Sequence, residues 1–152
     1  MNWTLFDFAV AGAMLAVLSL AAWFLFKGPH NFAYRLAVAI AVAASILVFW
    51  VTGAVGIIGS EQNDANMLYL GVLVFALLGS AVARFQPGPM TWVLSAAAAS
   101  TALIAIVAVM FGWGADGPIW PFDVLGASGV IAAMFAAAAL LFRHSARGSA
   151  SV

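Results

Sequence analysis

The chain has 152 residues, of which 66% are hydrophobic and 7% charged, and its mean hydropathy is +1.15. A soluble domain carries roughly 25% charged residues, so this composition excludes a water-soluble fold of this size and indicates a protein of the lipid bilayer. A formal net charge of zero provides no basic footprint for nucleic acid, and the lack of cysteine excludes disulfides and thiol chemistry.

Five apolar runs follow one another along the chain, each long enough to cross a hydrocarbon core of about 30 Å at about 1.5 Å per residue. They predict transmembrane helices at about 5–26, 36–58, 67–85, 91–113 and 124–142. The first run lacks the basic start of a signal peptide, so we interpret it as a retained helix. We therefore expect an all-α membrane protein, with one five-helix domain over residues 1–144 and a short disordered tail at 145–152.

The charged residues divide into two sets that alternate along the chain. The bases are Lys27, Arg35, Arg84, Arg143 and Arg147, and the acids are Asp7, Glu61, Asp64, Asp116 and Asp123. With five helices, every base lies on one side of the membrane and every acid on the other. Because cytoplasmic loops are enriched in Lys and Arg, this pattern predicts an extracytoplasmic N-terminus and a cytoplasmic C-terminus.

The connection between the second and third helices is rich in polar side chains. Glu61, Asn63, Asp64 and Asn66 offer the oxygen ligands that a hard cation such as calcium prefers, so the segment is a candidate metal site. The alternative is that Ser60, Asn63 or Asp64 caps the third helix, with Asp64 also meeting its dipole. We favour capping, because the spacing matches no known calcium loop.

The same connection carries a resemblance. The run from Val55 to Leu70, with the preceding segment 31–35, resembles a group of uncharacterised small bacterial inner-membrane proteins that share a Gly-Ser-Glu-x-Asn-x-Ala-Asn core, like Gly59 to Asn66 here. The resemblance covers much of the chain up to about Met90. It implies a multi-pass protein of the bacterial inner (plasma) membrane, and it implies no activity.

Small residues recur at helical spacing on two of the predicted helices. Gly79 and Ala83 share one face of the third, flanked by Gly71, and Gly129 and Ala133 share a face of the fifth. Such seams let helices pack closely, either inside the bundle or against another subunit. Trp50 is unusual, because it lies about two turns below the outer end of the predicted second helix. Its indole N–H must there find a partner inside the bundle or stay unsatisfied.

The chemistry available within the spans is limited. No charge lies deep in any span, and His30 and His144 both lie in the flanks, so the sequence indicates neither an enzyme nor a bound cofactor. Two hypotheses remain. The first is an accessory or structural protein that acts by helix–helix contact with itself or a larger membrane complex. The second is a transport or sensing component that uses the acidic outer face, with a divalent cation bound there. We favour the first.

Overall fold

The computed structural model describes residues 5–27 and 31–151, and that part of the chain is helical with no strands. The helices are α1 (Leu5–Lys27), α2 (Phe32–Ala54), α3 (Met67–Val82), α4 (Pro87–Met110) and α5 (Phe122–Ala150), with a 3-10 helix at Asp64–Asn66. The prediction of an all-α, five-helix chain is confirmed. Within the described residues, four segments are long and apolar enough to cross a membrane: Phe32–Ala54, Asp64–Val82, Pro87–Met110 and Phe122–Ala150.

The second helix is displaced toward the N-terminus from the predicted 36–58. It begins at Phe32 because Asn31 acts as its cap, with the side-chain Oδ1 accepting the N–H of Tyr34 at 3.0 Å. It ends at Ala54 because Gly56 adopts a φ of +79°, which terminates the helix. A side chain at residue 56 would collide with the backbone of Ser60, so this turn requires glycine.

The fourth helix begins at Pro87, four residues before the predicted start. Pro87 and Pro89 therefore lie in its first turn rather than in the connection. Proline is tolerated there because the first N–H groups of a helix have no partner within the helix. The Thr91 hydroxyl donates to the Pro87 carbonyl at 3.0 Å and supports the same turn.

The C-terminal segment corrects a prediction. We expected residues 145–152 to be a disordered tail, but α5 continues through Ala150. Ser145 is buried and donates to Asn31 Oδ1 at 3.0 Å, so the last turns of α5 pack against the start of α2. His30, Val152 and the side chain of Asp7 lie outside the described residues.

The helices are antiparallel to their chain neighbours, and α2 packs on three others, α1, α3 and α5. The most extensive packing joins α5 to α4 and then to α2, while α3 packs on α4 and α2, and α1 packs chiefly on α2. Large buried side chains between α2, α4 and α5 include Val48, Leu94, Ile131 and Phe135. The bundle has two chemically different ends. The acidic end carries Glu61, Asp64, Asp116 and Asp123, and the basic end carries Lys27, Arg35, Arg84, Arg143 and Arg147.

Trp50 does not point into the bundle. Its side chain is 67% exposed, because the buried face of α2 is set by Val48 and Thr52, and residue 50 lies on the opposite side of the helix. Of the two expectations for the indole N–H, a partner inside the bundle is therefore wrong, because the side chain lies on the exposed face of α2.

Candidate functional site

Asn66 organises the connection between α2 and α3. Its Oδ1 accepts the backbone N–H groups of Ile57 and Ile58, both at 2.9 Å. Its Nδ2 donates to the carbonyl of Ser60 at 2.7 Å. The side chain is 3% exposed and Ile57 and Ile58 are buried, so the two bonds to Oδ1 satisfy N–H groups that cannot reach water. We call this arrangement the Asn66 clamp: the Asn66 side chain with the backbones of Ile57, Ile58 and Ser60.

The other predicted cation ligands have different surroundings. Asn63 is the N-cap of the 3-10 helix, and its Oδ1 accepts the N–H of Ala65 at 3.0 Å. Glu61 and Asp64 are exposed, and Asp64 lies in the first turn of that helix. Asn63 thus caps the 3-10 helix that leads into α3, whereas the predicted cap of α3 by Ser60, Asn63 or Asp64 is not formed, because its N-cap is Asn66 with no side-chain capping bond. Within residues 5–27 and 31–151, no group of three or more His, Cys, Asp or Glu side chains is placed to hold a metal.

A glycine contact joins the two connections of the acidic end. Gly59 and Gly114 have φ angles of +72° and +79°, and their backbones approach closely. A Cβ at residue 114 would lie 2.7 Å from the Gly59 nitrogen, and one at residue 59 would lie 3.0 Å from the Gly114 Cα. Neither position can carry a side chain without moving the other connection, because the neighbouring atoms belong to backbone. The Asn66 clamp is therefore coupled to the 111–121 connection.

One buried hydrogen bond links α3 to α5 below this contact. The hydroxyls of Tyr69 and Ser128 lie 2.7 Å apart, and both residues are almost fully buried. Two further buried polar atoms at this end, Thr52 Oγ1 and Trp120 Nε1, have no hydrogen-bond partner among the described residues. The sequence did not reveal the hydrogen bond between Tyr69 and Ser128, because it joins residues 59 positions apart.

Elsewhere in the spans, hydroxyl groups are satisfied within their own helices. Ser45, Ser80 and Thr101 each donate to the carbonyl four residues earlier, at 2.9, 2.6 and 2.8 Å. Such bonds consume the hydroxyl without linking helices. These three hydroxyls therefore make no contact between helices.

The small residues predicted to form packing seams occupy two kinds of position. Gly79 faces α4, where a Cβ would lie 2.8 Å from Val93 Cγ1, and Ala83 is buried nearby. Gly71 and Gly129 have open space, since a Cβ at either would meet nothing within 4 Å, and Ala133 is exposed. The third-helix seam at Gly79 is therefore filled within the bundle, and the fifth-helix seam faces outward.

Comparison with known proteins adds no identification. No family model matches the sequence, and no curated protein or solved structure is detectably similar to it. The chemistry of the described residues is that of backbone ties and close helix packing.

Proposed function

We propose that this chain is a multi-pass protein of the bacterial inner membrane that acts without catalysis, as an accessory or structural component, through lateral contact between helices. We also propose that it belongs with the small bacterial inner-membrane proteins that its 55–70 segment resembles. The length and hydropathy of four helices support the membrane placement.

The outward seam of α5 is the observation that carries this proposal. Small residues at positions 126, 129, 133 and 136 follow the alternating three- and four-residue spacing of a packing seam, and all are exposed. Close approach of two membrane helices requires small residues on both of them. A second copy of α5 supplies a matching surface, so we propose that the partner is another copy of this chain.

The absence of native cysteine makes this contact directly testable. In membranes, oxidation of Ala133→Cys should yield a disulfide-linked dimer, whereas Ala102→Cys, on an exposed position of α4, should remain monomeric. Adding Gly129→Leu to Ala133→Cys should abolish the dimer without unfolding the protein, because a side chain at residue 129 has open space. Equal crosslinking at residues 102 and 133 would contradict the proposed contact, and crosslinking of residue 133 to a different protein would replace self-association with a larger complex.

The orientation is proposed on the charge distribution, with the basic end in the cytoplasm and the acidic end outside. Reporter fusions after Lys27, after Gln86 and at the C-terminus should have cytoplasmic activity. Fusions after Asn63 and Gly117 should have extracytoplasmic activity. A reporter that reads extracytoplasmic at the C-terminus would contradict a five-span arrangement.

A further inference from the structure

A groove between α3 and α4 opens at the basic end. It has a volume of about 640 Å³, and its apolar walls are formed by Phe75, Leu78 and Val82 of α3 and by Pro89 and Val93 of α4. Gly79 and Ala83 also line it, where α3 packs closely against Val93 of α4. The wall residues of α3 are 46%, 63% and 84% exposed, so the groove is open along its outer side.

The end of this groove is polar, in contrast to its walls. Arg84 and Gln86 line it there, and the Arg84 side chain is exposed. The turn that carries Arg84 is unusual, since Arg84 and Phe85 have φ angles of +50° and +55° without being glycine. For residues with a Cβ, this conformation is unfavourable and persists only where surrounding interactions hold it.

Hydrogen bonds with two helices, α3 and α2, hold the turn. The N–H of Arg84 donates to the Ala81 carbonyl at 3.0 Å, and the N–H of Phe85 donates to the Ser80 carbonyl at 3.1 Å. The Tyr34 hydroxyl of α2 donates to the Phe85 carbonyl at 2.7 Å. The guanidinium of Arg84 is therefore carried on a fixed backbone at the end of an apolar groove, which reduces the ordering cost of binding a ligand there.

We propose that the α3–α4 groove binds one anionic phospholipid, with an acyl chain along the apolar walls and the phosphate at Arg84. The wall runs from Phe75 to Val82 of α3, or about 10 Å, which accommodates the upper part of an acyl chain. Arg supplies several N–H donors in a geometry that suits phosphate, and Gln86 adds an amide donor beside it. The charge of Arg84 thus matches the phosphate of the lipid, and the apolar walls of the groove match its acyl chain. This inference rests on the proposed membrane placement.

Lipid binding can be measured on the purified full chain in a neutral detergent by native mass spectrometry. The probes are phosphatidylglycerol and phosphatidylcholine with identical acyl chains. We expect phosphatidylglycerol to bind more tightly, and Arg84→Gln to weaken its binding about fivefold while leaving phosphatidylcholine unchanged. Arg143→Gln, which removes an exposed base of the same end, should have little effect. Equal losses in the two variants would overturn the inference in favour of a general charge effect.

A second pair of variants tests the apolar part independently of the charge. Val82→Trp should fill the groove and reduce binding of both lipids, whereas Val130→Trp, at an exposed valine of α5, should not. Unchanged phosphatidylglycerol binding in Val82→Trp would overturn the inference, and so would competition by glycerol 3-phosphate, which lacks acyl chains. Alkaline extraction of membranes separates the two proposals. Release of the protein would contradict the membrane placement, whereas retention without a preference for phosphatidylglycerol would overturn the lipid site alone.

Discussion

The acidic end of the bundle combines a local tie, the Asn66 clamp within the α2–α3 connection, with the long-range bond between Tyr69 and Ser128, whereas the basic-end bonds from Tyr34 to Phe85 and from Ser145 to Asn31 are both long-range. The Asn66 clamp reaches back only six to nine residues. The bonds from Tyr34 to Phe85 and from Ser145 to Asn31 close loops of 51 and 114 residues. A T-shaped contact between the Tyr34 and Phe142 rings, with centroids 5.2 Å apart, adds to the basic-end ties.

This difference in bonding determines how strongly a single substitution destabilises each end. One side chain at the acidic end satisfies several buried backbone groups, so its loss leaves all of them without partners at once. At the basic end the bonds are divided between the Tyr34 hydroxyl, which donates to Phe85, and Asn31, which accepts from Tyr34 N–H and from Ser145, so removal of the Tyr34 hydroxyl leaves the other bonds in place. We therefore expect the acidic end to be sensitive to a single substitution and the basic end to be tolerant.

The largest effect should follow from Asn66→Ala. It leaves the buried N–H groups of Ile57 and Ile58 unpaired, at about 1–3 kcal/mol each, so we expect a loss of about 3 kcal/mol or more in the free energy of unfolding. Titration with SDS from a mild detergent would measure it. Tyr34→Phe, which removes one bond at the basic end, should cost only about 1 kcal/mol.

The matched control at the acidic end is Asn63→Ala. It removes a single capping bond from the same connection and should cost about 1 kcal/mol. If Asn63→Ala and Asn66→Ala were equally destabilising, the Asn66 clamp would stabilise the acidic end no more than a single capping bond does. If Tyr34→Phe exceeded Asn66→Ala, the contrast between the two ends would be reversed.

A smaller effect is expected from Gly79→Leu, in the packed seam between α3 and α4. The new Cβ would lie 2.8 Å from Val93 Cγ1, so we expect a loss of about 2 kcal/mol, measured by the same titration. Gly71→Leu is the control on the same helix, because it makes the same gain in helix propensity with nothing within 4 Å. Leu78→Ala, at a residue 63% exposed, should change stability by less than about 0.5 kcal/mol.

The double variant Gly79→Leu, Val93→Ala tests the cause. Removal of the valine methyl groups that the introduced leucine side chain would meet should recover part of the lost stability, so the two substitutions should not be additive. If Gly79→Leu were as stable as Gly71→Leu, the α3–α4 seam would be looser than its geometry indicates.

The number and class of the elements were predictable from the sequence, because hydropathy over about twenty residues is a strong signal. The ends of the helices were less predictable from the sequence. The caps at Asn31 and Asn63 use short polar side chains whose partners lie three and two residues ahead, a local pattern that sequence reasoning detected only at Asn63. The early start of α4 was missed because Pro87 and Pro89 were interpreted as a connection, although proline also suits a first turn.

The site was predictable in position but not in its bonding. The sequence indicates the polar connection, but it offers Asn66 only as a candidate cation ligand with Glu61, Asn63 and Asp64, and not as a partner of the backbone. The use of Asn66 by the backbone of Ile57 and Ile58 depends on the sharp turns at Gly56 and Gly59, which hydropathy does not reveal. Tertiary contacts such as Tyr69 with Ser128, and the groove at Arg84, depend on helix rotation and register, which the sequence pattern leaves open.

Calcium is expected to have the smallest effect on stability. At the acidic end, the four candidate ligands are not equally available to a cation. An amide oxygen has two lone pairs, and Asn66 Oδ1 already accepts two N–H groups. A cation that used this oxygen would have to displace them, at the cost of leaving buried donors unpaired. Glu61 and Asp64 remain available as exposed carboxylates, which on their own bind a hard cation weakly.

We therefore expect millimolar calcium to leave the melting temperature in detergent unchanged, and the double variant Glu61→Gln, Asp64→Asn to melt like the parent with or without calcium. A bound cation would instead raise the melting temperature by an amount that grows with its concentration, because binding to the folded state stabilises it by mass action. If calcium stabilised the parent and the double variant lost that response, the exposed carboxylates would form a true cation site. The acidic end would then be a sensing surface, and the second hypothesis from the sequence would replace the first.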